Sequence, residues 1–158
     1  MFFVRSLEPF YCPSCQSGTY CVIGSRNRVV IQSSDIKKIY RIRRLQCLEC
    51  ERIHHELPGC VIPYKRHCAQ SIEAALEERE VAVEESTLRR WKAWFDSISG
   101  HLMGVLMDRQ MGKTPDPGTA LQRFRKVVGN APGWLGRVVQ SVVKQNLWVQ
   151  TRSAFCAG

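Results

Sequence analysis

The sequence predicts an α+β protein, in which a three-stranded β module held by a metal ion precedes an all-helical region. Three observations predict it. Cys12-Pro13-Ser14-Cys15 and Cys47-Leu48-Glu49-Cys50 are two Cys-x-x-Cys pairs separated by 31 residues, β-branched runs lie between them, and apolar residues recur at helical spacing from Pro63 onward. The 158 residues are 44% apolar and 23% charged, enough for a folded core and too few for a large multidomain enzyme.

The strands are expected at Thr19 to Gly24, Val29 to Gln32 and Ile39 to Leu45, separated by the turn-forming clusters Ser25 to Arg28 and Ser33 to Asp35. In the third run Arg41 and Arg43 fall on one face, and Tyr40 and Ile42 on the other. Beyond Pro63, Ala69, Ile72, Ala75 and Leu76 trace a first helix. A second starts at Ser86 as N-cap and buries Leu88, Trp91, Phe95 and Ile98. Leu102, Val105 and Leu106 suggest a third, stopped by Gly112. After the turn at residues 113–118, Asp116 or Thr114 is expected to cap a helix with Pro117 in its first turn and Leu121, Phe124 and Val128 facing inward. Gly129 to Pro132 breaks the chain. Trp134, Leu135, Val138, Val139, Val142 and Val143 then form an apolar stripe on a last helix that the pattern allows to reach Trp148. The expected units are residues 1–62, 63–112 and 113–158.

Each Cys pair bends the backbone into a knuckle that aims two thiolates at one point, and two knuckles complete a tetrahedral site for Zn2+. Cys12, Cys15, Cys47 and Cys50 are therefore the expected ligands of one structural zinc ion, and the β module a zinc ribbon. Four thiolates leave no open position for a substrate. Cys60, His67 and Cys68, with His54 and His55 nearby, match no common knuckle spacing, although a second metal site on them stays an alternative. Cys21 and Cys156 read as small buried apolar residues. His54-His55-Glu56 is not the His-Glu-x-x-His motif, so packing or capping is its expected role. There is no Gly-rich phosphate loop and no nucleophile elbow, and the protein is not expected to be an enzyme.

The net charge is +9. It divides as +4 over residues 1–60, −1 over 61–100 and +6 over 101–158, so the basic character lies at the two ends. A basic ribbon followed by a helix carrying Arg89, Arg90 and Lys92 suits a polyanion, because Lys and Arg neutralise phosphates and a helix fits the major groove.

The run Arg43 to Pro58 around the second knuckle, continued by Val61-Ile62-Pro63-Tyr64-Lys65-Arg66-His67, resembles the N-terminal zinc ribbon of bacterial insertion-sequence transposases. Ser86-Thr87-Leu88-Arg89-Arg90-Trp91-Lys92-Ala93-Trp94-Phe95 is similar to the recognition helix of their helix-turn-helix. The whole chain, including Asn146 to Phe155, resembles more closely a short family of bacterial zinc-ribbon proteins of unknown function. The transposase likeness covers residues 10–98 and implies DNA binding. It does not extend to catalysis, since the last 60 residues hold only Asp108 and Asp116 as acids.

The expected function is non-catalytic, zinc-dependent DNA binding, in transposition or regulation. Arg89, Arg90 and Lys92 would contact the groove, and Arg41, Arg43, Arg44, Lys65 and Arg66 the phosphates. The alternatives are a protein-interaction adaptor using residues 117–158, with Trp134, Trp148 and Phe155 as anchors, and an RNA-binding ribbon. A homo-oligomer is a further option. No stretch approaches the roughly 18 apolar residues of a membrane span. A bacterial cytoplasmic location, on the nucleoid if DNA is bound, is expected, with reduced thiols.

Overall fold

The computed structural model describes residues 1–108, 118–148 and 155–157. Its β elements are β1 (Phe2–Phe3), β2 (Tyr20–Ile31), β3 (Lys37–Cys47), β4 (Ile53–Leu57) and β5 (Phe155–Ala157). The helices are α1 (Ala69–Leu76), α2 (Glu85–Asp108), α3 (Ala120–Val128) and α4 (Trp134–Lys144). The class is α+β, with the strands early and the helices later.

β2 and β3 form a long antiparallel hairpin running from Tyr20↔Cys47 to Ile31↔Lys37. The two strands expected at Thr19 to Gly24 and Val29 to Gln32 are one strand. Ser25 to Arg28, whose polar composition suggests a turn, is strand instead: half of such a strand faces water, so its polarity is that of a solvated edge. A register shift between Val22 and Gly24 absorbs one extra residue, and Gly24 has φ +144° there. The third ribbon strand is β4, which follows the second knuckle and pairs Arg44↔His55, Leu45↔His54 and Gln46↔Ile53. The same edge of β3 receives β1 in parallel at Tyr40 and Arg41, while β5 lies parallel to β4.

One core joins sheet and helices. Val30, Ile42, Leu57, Val61 and Ile62 meet Ile72, Phe95, Leu102, Phe124, Trp134 and Val142. Phe95, Phe124 and Trp134 form a triangle with ring centroids 5.3, 5.9 and 6.0 Å apart. Each such ring, fully buried, contributes about 1.5–3 kcal/mol. All six residues of the α4 stripe are buried, as their spacing predicts. That helix ends at Lys144, and Trp148 is buried beyond it.

The second and third expected helices are the single helix α2. Gly100 and Gly104 lie on its exposed side with nothing near them, so each costs only its propensity while Ile98 and Leu102 continue the buried face. Ser86 is not the N-cap; it lies in the first turn, and the Thr87 and Leu88 amides donate to the carbonyl of Glu84. Thr119 caps α3 in a capping box with Gln122. Thr114, Asp116 and Pro117, expected in that role, lie outside the described residues, as does Gly112. Eight residues separate α1 from α2, longer than the turn of about three to four residues in a helix-turn-helix.

α4 has no side-chain cap of its own, since its N-cap is Gly133 at φ 84°. Its free amides are served from α1: Gly133 and Leu135 donate to the two oxygens of the buried Glu73, each at 2.8 Å. A carboxylate at a helix N-terminus also meets the positive end of the helix dipole. Trp134 Nε1 donates to Glu77 at 3.0 Å, and Arg79 and Arg125 pair with the same carboxylate. Close packing continues at Gly136, where a Cβ would sit 3.0 Å from the carbonyl oxygen of Gly59.

Candidate metal centre and basic surface

The two Cys-x-x-Cys segments fold as matching knuckles. In the first, Gln16 N–H donates to the carbonyl of Cys12 at 2.8 Å; in the second, Glu51 N–H donates to that of Cys47 at 3.1 Å. Gln16 and Glu51, each just after the second Cys, both take the left-handed backbone conformation, at φ 64° and 59°. Such a conformation is unfavourable for a residue with a Cβ, and here it turns the chain so that both thiols of a pair point inward. Arg52 Nη1 donates to Ser14 Oγ at 3.1 Å and ties one knuckle to the other.

The sulfurs of Cys12, Cys15, Cys47 and Cys50 all lie within 4.8 Å of one another. Cys12 and Cys50 are 3.5 Å apart, as are Cys15 and Cys47. A tetrahedral Zn2+ with thiolates at about 2.3 Å would space them by about 3.8 Å, so the cage fits such an ion. The donor set is the one this metal favours. The Cys50 amide, then others, draws the Cys47 thiol down to about 7. At Cys15 the Ser17 amide acts downward, but burial and the neighbouring thiols push the group up to about 12. Four thiols this close cannot all ionise without a cation, so metal uptake must release protons and weaken in acid.

His54 completes the cage from outside. It is fully buried on β4, its Nε2 lies 3.3 Å from Cys12 Sγ, and its ring packs on Phe10 at 5.6 Å. The apolar material around the knuckles is slight, being Phe10 and Leu45 with the cysteines themselves. Cys60, His67 and Cys68 do not assemble. Cys68 Sγ lies against Ser71 Oγ at 3.1 Å, and His67 meets Trp91 edge-on at 4.9 Å. Among the described residues, Cys12, Cys15, Cys47 and Cys50 are the group brought within metal-binding reach of one another. Cys21 is half-buried, and Cys156 lies where side chains are not described.

The basic residues divide between faces. Arg41 is exposed on the outer face of the sheet, donating to Ser25 Oγ at 2.8 Å and lying over Phe3. Arg43 is committed to the buried Glu56 through two hydrogen bonds of 2.6 and 2.8 Å. Arg44 is on the inner face, opposite His55. Lys65 lies over the ring of Trp94 at 4.4 Å; burial, then Arg90 nearby, lowers its pKa. Arg66 is exposed beside β2. On α2, Arg89 pairs with Glu85 at 2.5 Å, Arg90 donates to Thr87 Oγ1 at 2.9 Å, and Lys92 pairs with Glu78 at 3.6 Å. Arg26 and Arg28 lie in the polar run whose composition matches a turn. They are strand residues, and burial together with Arg26, Arg44 and Arg28 holds His55 down at about 4. No helix of the described residues is long and apolar enough to cross a membrane.

Fold and cage together define a four-cysteine ribbon protein of the α+β class, with its thiols placed where they could hold one metal ion. The chain belongs to a particular family, the one defined by a domain of unknown function (DUF6431), which matches residues 12–91 and so takes in both knuckles, the ribbon, α1 and the start of α2. No curated protein and no solved structure matches the chain, so the likeness to transposases rests on the quoted residues alone.

Proposed function

We propose that the protein is a non-catalytic nucleic-acid-binding protein whose ribbon is held by one structural zinc ion and whose target is double-stranded DNA, in a regulatory or transposition-associated role. The observation that carries this reading is the meeting of two basic groups. Arg28 on β2 donates to the carbonyl oxygen of Lys65 at 2.9 Å, and Lys65 in turn feels the charge of Arg90 on α2. Ribbon and helix thus contribute cations to adjoining surface, and like charges gathered in this way favour a polyanion. The four-thiol cage supports a structural role for the metal, because all its positions are taken by protein.

The adaptor reading is less favoured. Trp134 and Trp148, two of its three expected anchors, are buried in the chain's own core, and the side chain of Phe155 lies outside what is described. RNA binding differs only in the polyanion, and a competition series decides it.

The test is fluorescence anisotropy with a mixed-sequence DNA duplex between about 50 and 200 mM salt, in parallel with an RNA hairpin. Binding that falls steeply with salt and prefers the DNA duplex is expected. Lys65→Ala should weaken all sequences alike and reduce the salt slope by about one, whereas Arg90→Ala, if this residue reads a base, should cost about 1–3 kcal/mol at one position of a site. Affinity indifferent to salt would sink the reading.

A further inference from the structure

We propose that the outer edge of β2, the side away from β3, is a seat for the phosphodiester backbone of duplex DNA, formed by Arg26, Arg28, Lys37 and Arg66; this rests on the nucleic-acid reading above and says where the backbone is held. These four cations line an open groove of about 700 Å3, and among the described residues no carboxylate lines it. None of the four lies on α2: Arg26, Arg28 and Lys37 belong to the hairpin, and Arg66 to the segment before α1.

The groove is built, not a chance scatter of surface charge. Arg28 is drawn part-way into the protein, where its guanidinium donates to the carbonyl oxygens of Ile62 at 3.2 Å and Lys65 at 2.9 Å. Its position is therefore fixed with Arg26 beside it, and burial followed by the Arg26 charge lowers its pKa. Holding two guanidiniums together without a lining carboxylate is unfavourable, and an anion in the groove relieves it.

The backbone adds donors. Ile31 N–H donates to the carbonyl of Arg66, and the carbonyl of Ile31 accepts from Cys68, so both polar groups of Ile31 point away from β3. In an antiparallel ladder this alternates, and the N–H groups of Asn27 and Val29 point the same way, along the edge beside the groove. The extent of the site decides the class of ligand. Arg26 and the position of Lys37, which pairs with Ile31, are five residues apart along β2, about 17 Å at strand rise. That is too long for one small anion and suits a linear polyanion.

The experiment uses the full-length, zinc-loaded chain and a labelled duplex of 20 base pairs, with anisotropy read from 50 to 200 mM KCl. Arg26→Ala, Lys37→Ala and Arg66→Ala are combined; Arg28 is left intact because it ties down the Ile62 and Lys65 carbonyls. The control, Lys126→Ala with Arg137→Ala and Lys144→Ala, removes the same charge from exposed positions on α3 and α4. The groove variant should bind about tenfold or more weakly and lose about three from its salt slope, while the control changes little. Equal weakening in both variants would overturn the groove and leave DNA binding standing as a net-charge effect. Undiminished binding by the groove variant, lost instead in Arg89→Ala with Arg90→Ala, would move the seat to α2. Failure of the wild type to bind the duplex at 50 mM KCl would overturn this proposal and the function it rests on. A poly-glutamate peptide that displaces the duplex and itself depends on Arg26, Lys37 and Arg66 would make the edge a peptide site instead.

Discussion

The two ends of the ribbon are held by different physics. At the knuckles, Phe10 and Leu45 are almost the only apolar side chains beyond the cysteines, and the left-handed Gln16 and Glu51 keep the chain turned inward at a conformational cost. At the other end of the same hairpin, Val30 and Ile42 enter a core shared with all four helices and filled by Phe95, Phe124 and Trp134. Burial suffices there. At the knuckles apolar burial is slight, and a metal ion held by the four thiols would make a compact end out of so little apolar surface.

Removing the metal is the largest perturbation expected. A structural zinc contributes on the order of 10 kcal/mol to the region it closes, so chelation should abolish amide-exchange protection around Cys12 to Gly18 and Cys47 to Ile53. Trp91, Trp94, Trp134 and Trp148 all lie in the helical core, and tryptophan emission should change little. Loss of both signals together would break the contrast between the ends. Next comes Phe124→Ala, with a cost of about 3–5 kcal/mol by chemical denaturation and a full complement of bound zinc. Zinc lost in that variant would show the two ends to be one cooperative unit.

Glu73→Ala is expected to cost about 1.5–3 kcal/mol, because the Gly133 and Leu135 amides lose a charged acceptor. Retention of wild-type stability would mean that packing alone seats α4. The smallest effect is in pH. The folded chain takes up a proton on His55 only near about 4, whereas the unfolded chain does so near its ordinary 6.5. The stabilisation is complete above about 6.5 and is lost as pH falls toward 4, by about 1 kcal/mol once solvent screening is allowed for. His55→Gln should flatten that part of the stability profile relative to wild type at equal zinc occupancy.

Much of this organisation was legible in the residues. The knuckles follow from two short spacings, and the α4 stripe from six apolar positions with one period; both depend on local pattern alone. What escaped depends on partners distant in the chain. Glu73 reads as one acid in an acidic run until the amides some 60 residues away arrive above it. Glu56 and His54 look like a chemical motif, yet one is the counter-ion of Arg43 and the other a support for Cys12. Arg26 and Arg28 were obscured for the opposite reason: a polar edge strand and a polar turn have the same composition, and only the pairing with β3 separates them.

The hold of Glu73 on α4 has a practical consequence for anyone wishing to divide the molecule. A fragment ending after α2 would leave a buried carboxylate without its donors and strip the cover from Ile72 and Phe95. The segment carrying α3 and α4 would lose its aromatic partner in turn. Neither is a detachable arm. If the chain is cleaved between α2 and α3, the two pieces should stay together and co-purify as a split protein, each supplying the template on which the other folds.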